Sequence, residues 1–125
     1  MKDNLYKILT PQEWEISKAS GFITTELDLN DGFIHLSNAA QLSTTLALYF
    51  SGHEEVILLL PELKQVKDKL IYESVNSTSK RTGKFGHLYA ELKVSQISKS
   101  WVLKRNAFEI PEEILLEAEM EKVAD

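Results

Sequence analysis

Three features of this 125-residue sequence predict an α+β domain. Its strand-like and helix-like segments come in mixed order, joined by connections too short for regular βαβ crossovers. A chain of this length makes one domain, spanning 1–125, that buries roughly two-thirds of its unfolded surface. At 43% hydrophobic and 26% charged residues, its composition is that of a globular protein. Two to three helices are expected.

Asn4 to Leu9 suits a short strand. Thr10-Pro11-Gln12-Glu13 then reads as a capping box, with Thr10 capping the N3 amide, Pro11 at N1 and Glu13 reaching back. The helix it opens should run to about Ala19 and stop at a left-handed Gly21, with Trp14 as its core anchor. Asp28 to Gly32 looks like turn chemistry. Phe33 to Leu36 follows as a strand, and Ser37 is a good N-cap for a helix from about Asn38 to Phe50 that Gly52 ends. Glu55 to Leu60 is the strongest strand, its continuous apolar run implying burial on both faces, and Pro61 closes it. Leu63 to Lys69 suits a turn or helical connection, and Leu70 to Glu73 a strand. Asn76 to Lys84 is polar and reads as an exposed loop. Strands resume at His87 to Leu92 and Trp101 to Leu103. Pro111 opens a last, acidic helix to about residue 124, with Leu115, Leu116, Ala118, Met120 and Val123 available for packing.

Charge is unevenly spread. The formal total is −5, but residues 80–105 carry seven bases against Glu91 alone, and residues 109–125 carry seven acids against Lys122 alone. A general nucleic-acid binder is disfavoured, since phosphate backbones call for a summed positive field. A local anion site in the basic stretch is compatible with the pattern. The absence of cysteine excludes disulfides, thiolate nucleophiles and Cys-ligated metals. No apolar run suits a signal peptide or a membrane span, so a soluble cytoplasmic protein without membrane association is expected. Oligomeric state is not readable from the chain.

Candidate chemistry gathers around two histidines. Side chains at i and i+2 of a strand share a face, so Phe33, His35 and Ser37 point one way, with Ile34 and Leu36 opposite. The same rule joins His87 to Tyr89, and Glu73 to Ile71. A polar cluster of His35, Ser37, Glu73, His87 and Tyr89 at the mouth of a sheet follows. Equally, each histidine could be a hydrogen-bonded structural residue, and His53 at a helix end reads as a solvated cap. No H-E-x-x-H pattern marks a metal site, and none is assigned. Lys80, Arg81 and Lys84 could close over a phosphate at the helix after Ser37, or simply be solvated. No P-loop, G-x-G-x-x-G or G-x-S-x-G is present.

L-Y-K-I near the start, D-G-F-I-H-L-S followed by A-A-Q, Y-F-x-G, and E-S followed by F-x-H-L-Y resemble the bacterial family called domain of unknown function 952, over about residues 5–92. Gly86, Ala90 and Tyr72 stand where that family usually has Pro, Gly and Trp. The resemblance implies a fold similar to ADP-ribosyltransferases, with small, strongly bent sheets. It further implies an NAD-type cleft, in which Glu73, His35 and His87 are the catalytic candidates. Tyr6, Lys7, Ser37, Tyr49, Arg81 and Tyr89 are the ligand-binding candidates, with NAD as a candidate substrate and no assured cofactor. A transferase acting on a small anionic ligand, a binding module without turnover, and an interaction domain that docks a partner on the acidic helix all stay open.

Overall fold

The computed structural model of the chain describes residues 4–74, 83–104 and 111–124, with backbone alone at 115 and 120–124. Described elements run β1 (Leu5–Leu9), α1 (Pro11–Ser20), α2 (Glu26–Asp31), β2 (Ile34–Asn38), α3 (Leu42–Tyr49), β3 (Glu55–Pro61), β4 (Leu70–Ser74), β5 (Lys84–Leu88), β6 (Ile97–Lys104) and α4 (Glu112–Ala124). Short 3-10 segments occupy Ala39–Gln41, Lys64–Lys69 and Val94–Gln96. The strands form one six-stranded sheet in the order β4-β5-β2-β1-β3-β6, and every recorded pairing is antiparallel. Among the described residues, one six-stranded sheet with four α-helices therefore replaces the expected small sheets and two to three helices.

Local sequence chemistry makes the first turn of the fold. Thr10 accepts the Glu13 amide while Glu13 accepts the Thr10 amide, and Gly21 ends α1 in the left-handed region at φ 89°. The expected turn at Asp28 is instead the helix α2. Thr25 caps it and Gly32, at φ 83°, stops it, so its helix-breaking composition reflects its brevity. Ser37 does not cap the next helix. β2 continues through it, and Asn38 takes the capping role for Ala39–Gln41 before α3 begins. The strand expected over His87 to Leu92 ends at Leu88, with one further ladder bond from the Tyr89 amide to the Lys69 carbonyl. Trp101 to Leu103 is the middle of a longer strand, β6.

Two apolar clusters clamp the sheet. Leu5, Leu9, Ile34, Leu36, Ile57, Leu59 and Leu88 form one face, with Ile23, Leu92 and partly buried Trp14 packed on it. Tyr6, Ile8, Val56, Leu58 and Leu103 form the other, covered by Leu42 and Leu46 of α3 and Ile114 of α4. Alternate residues of β3 thus feed opposite clusters, which is what its unbroken apolar run required. In α4 it is Ile114, 1% exposed, that anchors the helix, whereas Leu116 is 55% exposed. Leu115, Met120 and Val123 fall outside the described side chains. Gly86 lies under Leu5, whose Cδ1 would stand 2.8 Å from any added Cβ. Among the described residues, no helix is long and apolar enough to cross a membrane.

Candidate active site

β1 changes neighbour halfway along its length. Leu5 and Tyr6 pair with Asn38 and Ser37 of β2, whereas Lys7, Ile8 and Leu9 pair with β3. The backbone of His35, next in line on β2, has no strand to pair with on that side. Asp28 and Lys7 take the strand's place. The His35 amide donates to Asp28 Oδ1 at 3.1 Å, and Lys7 Nζ donates to the His35 carbonyl at 3.3 Å. Lys7 Nζ also lies 2.8 Å from Asp28 Oδ2, an ion pair by distance although not aligned as a hydrogen bond. Both charges are nearly inaccessible to water, which suits them only because they are paired.

His35 stands opposite His87 of β5. Since both backbone polar groups of His35 are engaged with side chains, this is a non-hydrogen-bonded pair, the kind whose side chains approach closest. The two rings lie 5.6 Å apart, edge to face. His35 Nδ1 faces Asp28 Oδ1 at 2.7 Å and Nε2 faces Asp31 Oδ2 at 2.8 Å. Only the imidazolium form donates to both carboxylates at once. Burial pushes the Asp28 carboxyl upward. The His35 hydrogen bond and the Lys7 ammonium outweigh it and hold the group below its ordinary value.

Behind His87 stands a second carboxylate. Glu73 Oε1 accepts from His87 Nδ1 at 2.7 Å and from the Tyr89 hydroxyl at 2.6 Å. These donors, Tyr89 first, hold the Glu73 carboxyl below its ordinary value, and the carboxylate in turn raises the Tyr89 phenol. An ionised carboxylate accepts only, so the Nδ1 proton of His87 is fixed and Nε2 is its free nitrogen. Among the described residues Nε2 has no partner. Phe33 packs the group together, its ring 4.1 Å from His87, 4.5 Å from His35 and 5.2 Å from Tyr89.

His87 opens into a groove of about 1360 Å³. α1, α2 and the end of α3 border the groove, with His35, Ser37, Phe85 and His87 contributed by the sheet. Ser37 is buried there, 3.0 Å from Thr45 Oγ1. Thr45 donates its own proton to the Gln41 carbonyl, so Ser37 is the donor of that pair. Tyr49, half exposed, and His53, packed against Phe50, also line the groove.

The sequence-derived candidates therefore divide. His35, Glu73, His87 and Tyr89 form one hydrogen-bonded and stacked cluster, with Ser37 and Tyr49 along the groove it opens into. Tyr6 and Lys7 reach the groove wall with their polar atoms already committed. Tyr6 donates to Glu117 of α4 at 2.9 Å, and its phenol is raised by burial and by that carboxylate. Lys7 is committed to Asp28. Arg81 and Lys80 lie outside the described residues. Three members of the cluster had no sequence assignment as site residues: Asp28, Asp31 and Phe33. The i, i+2 rule already put Phe33 beside His35, and that was the available signal. Among the described residues, no group of three or more His, Asp or Glu is arranged to hold a metal ion.

Over residues 8–100 the chain matches the family described as "Protein of unknown function (DUF952)". It is similar to the crystal structure of protein CC0527 from Caulobacter crescentus, at 34% identity and a TM-score of 0.74 over 92% of this chain and 98% of that one. A crystal structure of a double mutant of CC0527 gives the same figures. The solution NMR structure of CC0527 is 35% identical over 87% of this chain and 91% of that one, with a TM-score of 0.69. No curated protein matches the chain.

Proposed function

The chain belongs to the DUF952 family of proteins of unknown function, so its chemistry must come from its own residues, and we propose that its groove binds a small nucleotide-type ligand, with His87 as the proton-transferring group. The observation that carries this proposal is the Glu73–His87 pair. A carboxylate fixes Nδ1–H and leaves Nε2 without a partner among the described residues, on a ring that lines the groove, an arrangement in which a histidine can take a proton from or give one to a bound molecule. The groove is roomier than the roughly 300–1,000 Å³ of most small-molecule pockets, which suits a dinucleotide. Tyr49 and Phe50 at the rim offer faces for a planar ring. NAD is included among the ligands to test because the family resemblance in the sequence implied an ADP-ribosyltransferase-like cleft, an expectation the fold comparisons do not support.

His35 serves as a positioning residue here, since both of its ring nitrogens are occupied. A binding module without turnover is the second reading. It is favoured by Ser37, which donates to Thr45 rather than to a base and so is not an activated nucleophile. A thermal-shift screen with NAD, ADP-ribose, mononucleotides and sugar phosphates tests both, because a ligand bound only by the folded state raises Tm. We expect at least one of these to raise Tm and His87→Gln to keep that shift. Consumption of NAD by the wild type and not by His87→Gln marks an enzyme, and a shift without consumption marks a binding module. No shift with any of them at millimolar concentration would exclude the nucleotide proposal.

A further inference from the structure

Helix α2 is attached to the domain in an unusual way. It supplies no residue to either apolar cluster, and its only buried residue is the charged Asp28. Its two leucines, Leu27 and Leu29, are 52% and 71% exposed and line the groove together with Asp31. What ties the helix to the sheet is polar: Lys7 to Asp28, His35 to Asp28, and His35 to Asp31. A two-turn segment held by charged contacts at the edge of a cavity is the kind of element that opens locally without global unfolding.

We propose that α2 is a lid over the groove, strapped by His35, and that loss of one proton from the His35 ring releases Asp31 and the C-terminal turn of the helix. The neutral ring has one donor and one acceptor nitrogen. It keeps the donor on Asp28, which is buried and already holds the His35 amide, and turns a lone pair toward the Asp31 carboxylate, which repels it. The groups facing the ring are Asp28 and Asp31 from α2, Lys7 from β1 and His87 from β5, with Glu73 of β4 and Tyr89 behind His87. Lys7 answers Asp28 and His87 answers Glu73, so Asp31 alone depends on the second His35 proton. This inference stands apart from the nucleotide proposal and holds whatever the groove binds.

Amide exchange followed by NMR tests it on the intact chain. Gly32 donates its amide to the Asp28 carbonyl and reports on the C-terminal turn of α2, whereas Leu29, which donates to the Thr25 carbonyl, reports on its first turn. Across about pH 5 to 8, the interval in which histidines change charge, Gly32 should lose protection and Leu29 should lose less. After correction for intrinsic exchange, the loss should be about fivefold, as expected for one charge-assisted hydrogen bond at a part-exposed site. Amides of β3 should not follow. Asp31→Asn supplies the opposite case, because the introduced side-chain amide donates to the neutral ring. Its α2 protection should hold or rise at the upper end, where that of the wild type falls. His35→Gln should abolish the pH response. If it does not fold, Asp31→Asn decides, since Asp31 is on the surface and outside the core. Flat wild-type protection, or the same loss in Asp31→Asn as in wild type, overturns the proposal.

Discussion

Asp28 divides two oxygens among three partners: the His35 ring, the His35 amide and the Lys7 ammonium. Replacing it with Asn leaves an ammonium that is 3% exposed and without a counter-charge. We expect Asp28→Asn to cost about 3 kcal/mol or more, the usual penalty for breaking a buried pair from one side, as measured by urea denaturation at neutral pH. The same residue sets an acid limit. Its carboxyl lies below the ordinary value in the fold, so its contribution is complete above the unfolded value of about 3.9. That contribution disappears as pH falls through the folded value. The stability gap between wild type and Asp28→Asn should therefore not narrow between neutral pH and about pH 4 and should close only below it. A gap that closes above that point would assign the linkage to another group.

At the scale of elements, α4 shows how a helix with little amphipathic contrast is still held. Ile114 is its apolar anchor, and Glu117 accepts from both the Tyr6 hydroxyl and the Asn4 amide. The exposed pair Lys99–Glu113, at 3.0 Å, adds little, as surface pairs do. Ile114→Ala should destabilise the domain by about 2–5 kcal/mol through the cavity it leaves. Leu116→Ala, two residues on and largely exposed, should fall within about 0.5 kcal/mol of wild type. Equal effects in chemical denaturation would mean that α4 docks by a different face. Part of the acidic charge near the C-terminus thus serves internal docking, against Tyr6, Asn4 and Lys99.

For the whole molecule, β1 is the seam. One half of the strand pairs toward β2 and the other toward β3, and its alternate side chains feed both apolar clusters. Neither cluster is complete without it, so the domain should unfold as one cooperative unit. Trp14 packs on one cluster and Trp101 on the other, which makes the test direct. Fluorescence transitions of Trp14→Phe and Trp101→Phe, each followed through its remaining tryptophan, should coincide with that protein's own circular-dichroism transition. A lag between the two probes in either variant would show that the clusters melt separately.

Interactions that span a few residues were open to reading from the sequence alone. The Thr10–Glu13 capping box and the Gly21 stop are set by contacts within one or two helical turns. The shared face of Phe33, His35 and Ser37 follows from the period of a strand, as does the two-sided burial of Glu55 to Leu60. Asp28 shows where that legibility ends. Between Thr25 and Gly32 its neighbours are turn and capping types, and nothing local separates a turn from a two-turn helix. Its role also depends on Lys7, which is 21 positions earlier, and on the point where β1 parts from β2. The pairing of Glu73 with His87 and Tyr89 likewise needs β4 and β5 laid side by side with Ile71 opposite His87. Residue chemistry and local periodicity thus selected the histidines. Strand order and register, set by how two apolar faces are buried at once, decided which carboxylate each histidine meets and which nitrogen of His87 is left without a partner among the described residues.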